Sequence, residues 1–167
     1  MATFRAIVAM GENREIGEGD KIPWRLKADM QHFKRTTMNG HVLFGRKTFD
    51  CLPNKTLVNR TIWVLTRRNP DGWTKTTNHG LTLSCATNVV ESLSQLPDGQ
   101  DYWVCGGSQI YSLLLDKLDE VVCTHVSGKF SQADAHMSAF EHLFARKDIL
   151  TTGEGYSIVR YYDKITG

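Results

Sequence analysis

The chain has 167 residues, of which 41% are hydrophobic and 23% charged, and it carries a formal net charge of +2. That composition is globular and long enough for a real core, and no low-complexity tract or linker divides it, so one domain over 1–167 is expected. The small charge argues against a nucleic-acid partner, and with no signal peptide or transmembrane span apparent, the expectation is a soluble, cytoplasmic chain.

In chain order, residues 4–10 read as a strand and 11–21 as a polar, glycine-bearing loop. A helix opens after Pro23. Residues 41–44 are a short apolar strand ending at Gly45, 46–52 a helical turn or two, and 61–66 a β-branched strand. Residues 67–80 read as a turn-rich connection, 81–85 as a strand, and 88–96 as a helix through Val89, Val90, Leu93 and Leu96. A strand over 102–105 runs into Gly106 and Gly107, and a helix over 108–118 turns Ile110, Leu113, Leu114 and Leu118 inward. Strands over 120–126 and 157–165 complete the chain. Strands separated by helices predict an α/β fold with a mostly parallel central sheet and flanking helices. The last two strands lack a helix between them, which predicts an antiparallel C-terminal edge. Ligands of such sheets bind beyond the carboxyl ends of the strands.

Asp29 is the most informative residue. Leu26, Met30 and Phe33 follow the i, i+4, i+7 spacing of a core-facing helical stripe, and Asp29 shares that face. A carboxylate there is costly to desolvate unless the fold or a ligand pairs with it. An acid early in a helix also simply complements the dipole, and position alone leaves both readings open.

Cys51, Cys85, Cys105 and Cys123 form no C-x-x-C pair, and the six histidines show no metal-ligand spacing. Free cytoplasmic thiols, solvated or core-satisfied histidines and no metal are therefore expected.

Three strand ends share one chemistry. Gly45-Arg46-Lys47-Thr48 sets two cations and a hydroxyl at a helix start, where N–H groups favour phosphate. Thr66-Arg67-Arg68 sets a hydroxyl and two guanidinium groups at a strand end, which suits a ribose 2′-phosphate. Gly106-Gly107-Ser108-Gln109-Ile110-Tyr111 lets backbone and helix N-terminus approach pyrophosphate. Each has a bland alternative: a plain turn, solvated arginines, or a turn needing positive φ. The usual G-x-G-x-x-G fingerprint is absent.

Taken in order, these pieces resemble the dihydrofolate reductases of the bacterial, single-domain type. The resemblance runs from Phe4 to the C-terminal strands, through Ala6-Ile7-Val8-Ala9, Ile16-Gly17, Ile22-Pro23-Trp24 with Leu26 and Asp29, and Phe33-Lys34. Gly45-Arg46-Lys47-Thr48-Phe49, Leu57 with Arg60, Thr66-Arg67, Gly106-Gly107 with Ile110-Tyr111, and Thr124-His125 complete it. It implies hydride transfer from NADPH to the pterin of 7,8-dihydrofolate, giving tetrahydrofolate for one-carbon and thymidylate metabolism, with antifolates as inhibitors. Asp29, Trp24, Ile22 and Thr124 are implied as catalytic. Asp29 would bind the pterin amino group and ring nitrogen, Thr124 would bond Asp29, and Ile7 would offer its carbonyl. Met30, Phe33, Leu52, Leu57 and Cys105 would line the substrate site, and Arg60 would take the glutamate-tail carboxylate.

On the cofactor side the resemblance implies Ala9 and Cys105 near the nicotinamide. Ile16, Gly17, Asp20, Lys21 and Ile22 would lie in a mobile loop over it. Gly45, Arg46, Lys47, Thr48, Thr66 and Arg67 would meet phosphates, and Gly106, Gly107, Ser108, Gln109, Ile110 and Tyr111 the pyrophosphate. Cys105 departs from the family's usual Ile, Val or Leu; the loop over 15–21 is unusually charged, and 51–56 differs in length and sequence. The alternatives are a riboflavin-pathway pyrimidine reductase of the same fold and a non-catalytic folate- or nucleotide-binding protein. A monomer is expected.

Overall fold

The computed structural model describes residues 2–19, 21–51, 59–65, 74–78, 81–86, 93 and 96–166, with the side chains of 74–78 and 81–86 excepted. In chain order the elements are β1 (Thr3–Met10), β2 (Glu15–Gly17), α1 (Lys27–Thr37), β3 (His41–Gly45), α2 (Arg46–Asp50), β4 (Thr61–Leu65), β5 (Thr74–Asn78), β6 (Leu81–Ala86), β7 (Asp101–Val104), α3 (Ser108–Leu114), β8 (Glu120–Val126), β9 (Ala135–His136), β10 (Phe144–Gly153) and β11 (Tyr156–Lys164). Among the described residues, nine strands form one sheet in the order β10-β11-β8-β1-β7-β3-β4-β6-β5, and β2 pairs with β9 apart from it.

The centre of the sheet is parallel. β1 lies between β7 and β8, and β3 between β7 and β4, all parallel. Such strands are covered on both faces, and their residues are apolar accordingly. In β3, Leu43 joins the larger core with Ala6, Tyr102, Val104, Leu114 and Phe140. Its neighbours Val42 and Phe44 join a smaller core with Ile62 and Val64, against which Phe33, Trp103 and Cys105 pack. α1 and α3 thereby cover different faces, and the carboxyl ends of β1, β3, β4 and β7 are left open to one side.

The antiparallel C-terminal edge is present, and it is two strands deep: β11 pairs with β8, and β10 with β11. β10 was not expected, because Arg146-Lys147-Asp148 and Thr151-Thr152 hide any alternation and all but its first residue are exposed. A register shift between Ile149 and Thr151 blunts this edge. The other edge is also antiparallel, β5 on β6, inside the stretch expected to be a connection. The β5 sequence Thr-Lys-Thr-Thr-Asn carries no apolar residue to announce it. Most of the helix expected over 88–96 lies outside the described residues, although Leu93 and Leu96 are buried.

Two helix readings are corrected. α1 begins at Lys27 rather than just after Pro23, with Leu26 extended at its start (φ −132°, ψ 103°). Of its Leu26, Met30 and Phe33 stripe, Phe33 packs on the smaller core but Met30 is 59% exposed, and all three line a cleft. The buried face belongs to His32 and Thr37. Leu113, expected inward on α3, is exposed on the same cleft. Apolar periodicity registers a ligand cleft and a core alike.

Candidate active site

A cleft of about 1460 Å³ opens where the carboxyl ends of β1, β3, β4 and β7 converge. Its walls gather residues from distant parts of the chain: Ile7 and Ala9 of β1, Ile16, Gly17, Lys21 and Ile22 of the loop, and Trp24, Asp29, Met30 and Phe33 around α1. Gly45, Arg46, Lys47 and Thr48 face Gly107, Ser108, Gln109, Ile110 and Tyr111 across it, with Cys105 between. Of the other expected residues, Thr124, Arg60 and Gly106 sit behind the wall, and Asp20, Leu52, Leu57, Thr66 and Arg67 lie outside the described residues.

Asp29 stands at the first turn of α1, where the helix dipole favours a negative group. The Thr124 hydroxyl, from β8, donates to Asp29 Oδ1 at 2.7 Å. Burial pushes the Asp29 pKa up, while the Thr124 bond and the nearby His32 pull it partly back. The carboxyl is thus fixed in direction and held in a state easier to protonate than in water. Thr124 is itself 1% exposed and sits beside Ala9 in the β1–β8 register.

His32 departs from the expectation for histidines. It is 8% exposed, its Nδ1 lies 3.3 Å from Thr36 Oγ1, and its Nε2 has no hydrogen-bond partner among the described residues. Burial lowers its pKa; Asp29 opposes that and Arg35 adds to it.

Behind α1, Arg60 is 4% exposed; its Nε donates to Thr37 Oγ1 at 3.1 Å and its Nη2 to the Lys34 carbonyl at 2.8 Å. These bonds tie the start of β4 to the last turn of the helix. The Ile7 carbonyl accepts the Tyr111 hydroxyl at 2.6 Å, a partner the sequence did not suggest. A carbonyl has two lone pairs, so that bond leaves one for a ligand. Burial holds the Tyr111 pKa well above its ordinary value, which keeps it a donor.

The glycine-marked turns pack on one another. A Cβ on Gly45 would lie 2.8 Å from Ile110 Cγ1, and one on Gly107 would lie 2.8 Å from Thr48 Oγ1. Gly45 N–H donates to the Gly106 carbonyl at 2.7 Å. α2 and the start of α3 therefore form one cradle of backbone and hydroxyl groups. Arg46 flanks it, ion-paired to Asp50 at 3.1 Å on the surface, a pair that an incoming anion can exchange at little cost.

Asp134 was missed. Gly19 N–H donates to both of its carboxylate oxygens, at 3.1 and 3.0 Å, and Asp134 N–H donates to the Gly17 carbonyl at 3.0 Å. It thereby holds the loop to the cleft from 115 residues away in sequence. No local pattern signals such a contact.

A family model described as dihydrofolate reductase matches residues 3–149. A dihydrofolate reductase of Mycoplasma pneumoniae is 34% identical over 137 residues, covering 76% of this chain and 78% of its own. The type 9 dihydrofolate reductase of Escherichia coli is 35% identical over 129 residues, covering 75% of this chain and 71% of its own. Among solved structures, the dihydrofolate reductase from Enterococcus faecalis complexed with NADP(H) and RAB-propyl superposes with a TM-score of 0.73 at 26% identity, covering 96% of this chain and 95% of that one.

Proposed function

Because the chain belongs to the dihydrofolate reductase family, an NADPH-dependent oxidoreductase that reduces 7,8-dihydrofolate to tetrahydrofolate, we propose how its own residues divide that work. The observation that carries the assignment is Asp29, a carboxyl oriented by Thr124 within a cleft that also holds the cradle.

NADPH, when bound, supplies the hydride. Asp29 accepts hydrogen bonds from the pterin amino group and ring nitrogen, and Thr124 keeps its carboxyl in plane for them. The Ile7 carbonyl takes a further pterin donor, and Met30 and Phe33 form the apolar walls. Ile22 and Trp24 close the mouth and exclude water, which strengthens every charge interaction inside. Arg60 receives the glutamate tail. Leu52 and Leu57 are assigned to the substrate by the family resemblance, and Cys105 stands between the two ligands.

The cradle fits a pyrophosphate: backbone donors at the start of α3, the Thr48 hydroxyl, and close-packed Gly45 and Gly107 that leave no room for side chains. Lys47 and Arg46 supply the countercharge, Thr66 and Arg67 the 2′-phosphate contact. Gly45→Ala drives a methyl into Ile110, an overpacking of roughly 1–3 kcal/mol. The expected outcome is a lower melting temperature and weaker NADPH binding by titration calorimetry; both unchanged would remove the cradle from the cofactor site. Arg67→Ala is expected to weaken NADPH more than NADH, and equal losses in the two affinities argue against the 2′-phosphate role.

The direct test is NADPH oxidation with 7,8-dihydrofolate or a riboflavin-pathway aminopyrimidine as acceptor. Turnover with dihydrofolate is expected. Turnover with the pyrimidine alone, or tight binding of methotrexate and NADPH without turnover, contradicts the assignment. A single-domain, monomeric, cytoplasmic enzyme supplying one-carbon and thymidylate metabolism, and open to antifolates, completes the proposal. No helix among the described residues is long and apolar enough to cross a membrane.

A further inference from the structure

Glu15 is 1% exposed and lies in a strand of three residues at the base of the loop that lines the cleft. Its Oε1 accepts the Asn13 N–H at 2.5 Å, and its Oε2 accepts the Phe130 N–H at 2.5 Å across 115 residues of sequence. Burial pushes its pKa up, but the N–H groups of Phe130, Glu15 and Asn13, with His136 nearby, outweigh burial and hold it below the usual carboxylate value. It is therefore an ionised, fully enclosed carboxylate joining two segments.

The segments it joins reach the cleft. The Phe130 ring packs on Trp24 with centroids 5.1 Å apart at 52°, and Trp24 lines the cleft. Residue 11 is shaped to this arrangement: a Cβ on Gly11 would lie 2.8 Å from Glu15 Oε1 and 2.8 Å from Phe130 Cδ2. Glu12 N–H donates to the Gly128 carbonyl at 2.9 Å beside it. Just before this strand, Arg14 donates to the Met137 and Ser138 carbonyls and pairs with Glu141.

We propose that Glu15 is a positioning residue for the reductase reaction, seating Phe130 so that its ring fixes Trp24 against the cleft and fixing the base of the loop through β2. The proposal rests on the folate reading above, because it is the placement of Trp24 beside the substrate that the reaction senses. Glu15→Gln conserves shape and burial but can accept only one of the two N–H donors, and its amide NH₂ meets the other as a second donor. The variant therefore loosens the tie that holds the Phe130 segment to the Asn13 segment.

The test is a cycle in the full chain of Glu15→Gln, Trp24→Phe and the pair, read in two ways. Acrylamide quenching of tryptophan emission needs no turnover; Glu15→Gln is expected to increase it, and the increase to vanish without Trp24. Single-turnover hydride transfer with NADPH and dihydrofolate is expected to fall about tenfold in Glu15→Gln, within the ~10²-fold that a small remote misplacement can cost, and by no further factor in the Trp24→Phe background. Equal effects with and without Trp24, or unchanged quenching and rate, overturn the proposal. Phe130→Leu, which keeps the backbone bond and removes only the ring, gives the same expected signature should Glu15→Gln not fold; wild-type quenching and rate in Phe130→Leu overturn the proposal equally. A wild-type chain that turns over no dihydrofolate sinks the functional reading alone, since quenching still reports the position of Trp24.

Discussion

Asp29→Asn is expected to lower hydride transfer at neutral pH by about 10²–10⁴-fold, the range general acid–base groups contribute, while raising the stability of the protein. The two effects have one cause. Folding raises the pKa of Asp29 through burial, so the ionised carboxylate opposes folding. For a carboxyl whose folded pKa lies above its unfolded one, that penalty is absent below the ordinary value of 3.8, grows as pH rises, and is complete above the folded pKa. Asparagine carries no such penalty and can still accept the Thr124 hydroxyl through its side-chain oxygen. The variant should therefore melt higher than wild type at about pH 8 and lose most of that advantage by pH 3.8, the ordinary value of the carboxyl. A residue kept for stability shows the reverse. Thermal melts at the two pH values, run beside the rate measurement, separate the cases; a lower melting temperature at both, with activity intact, contradicts a ligand-facing role.

Arg60→Leu is expected to raise the KM for dihydrofolate by roughly 10–100-fold, from loss of a charge-assisted bond of about 1.5–3 kcal/mol, with kcat at saturation changed far less. A tail contact is uniform binding, felt equally in ground and transition states, so its loss appears in KM. The complication is that Arg60 also bonds Lys34 and Thr37, so its removal loosens the last turn of α1 in any reading. A pterin substrate without the glutamate tail resolves this. Its KM should be nearly the same in both proteins if Arg60 binds the tail, and should rise in parallel if the damage is to α1.

How much of this could be read from the chain depends on how local each signal is. The strand ends at Gly45 and Gly106 were legible because apolar run, glycine and cation or hydroxyl are consecutive residues. Their packing against one another, through Ile110 and Thr48, was not, since nothing in either stretch names the other. The Thr124 partner of Asp29, 95 residues away, came through family resemblance, whereas Asp134, Phe130 and the buried Glu15 escaped it. Their contacts join segments about 115 residues apart, and the two carboxylates are of a type that ordinarily lies in solvent. β5 and β10 were lost for a related reason: edge strands are polar by necessity, and polarity erases the period-2 pattern that marks a strand. Met30 and Leu113 failed oppositely, as apolar side chains that line a cleft where core was expected.

The central claim is that the buried carboxyl of Asp29 serves the reduction of a pterin by orienting its ring, in a protonation state that its elevated pKa governs. Single-turnover hydride transfer, followed across pH in wild type and Asp29→Asn with saturating NADPH and dihydrofolate, bears on it most directly. The wild-type rate should fall as pH rises through the elevated pKa of Asp29, and the variant should be slower by orders of magnitude and lack that inflection. The same rate in both proteins, or the same inflection in the variant, would contradict the account.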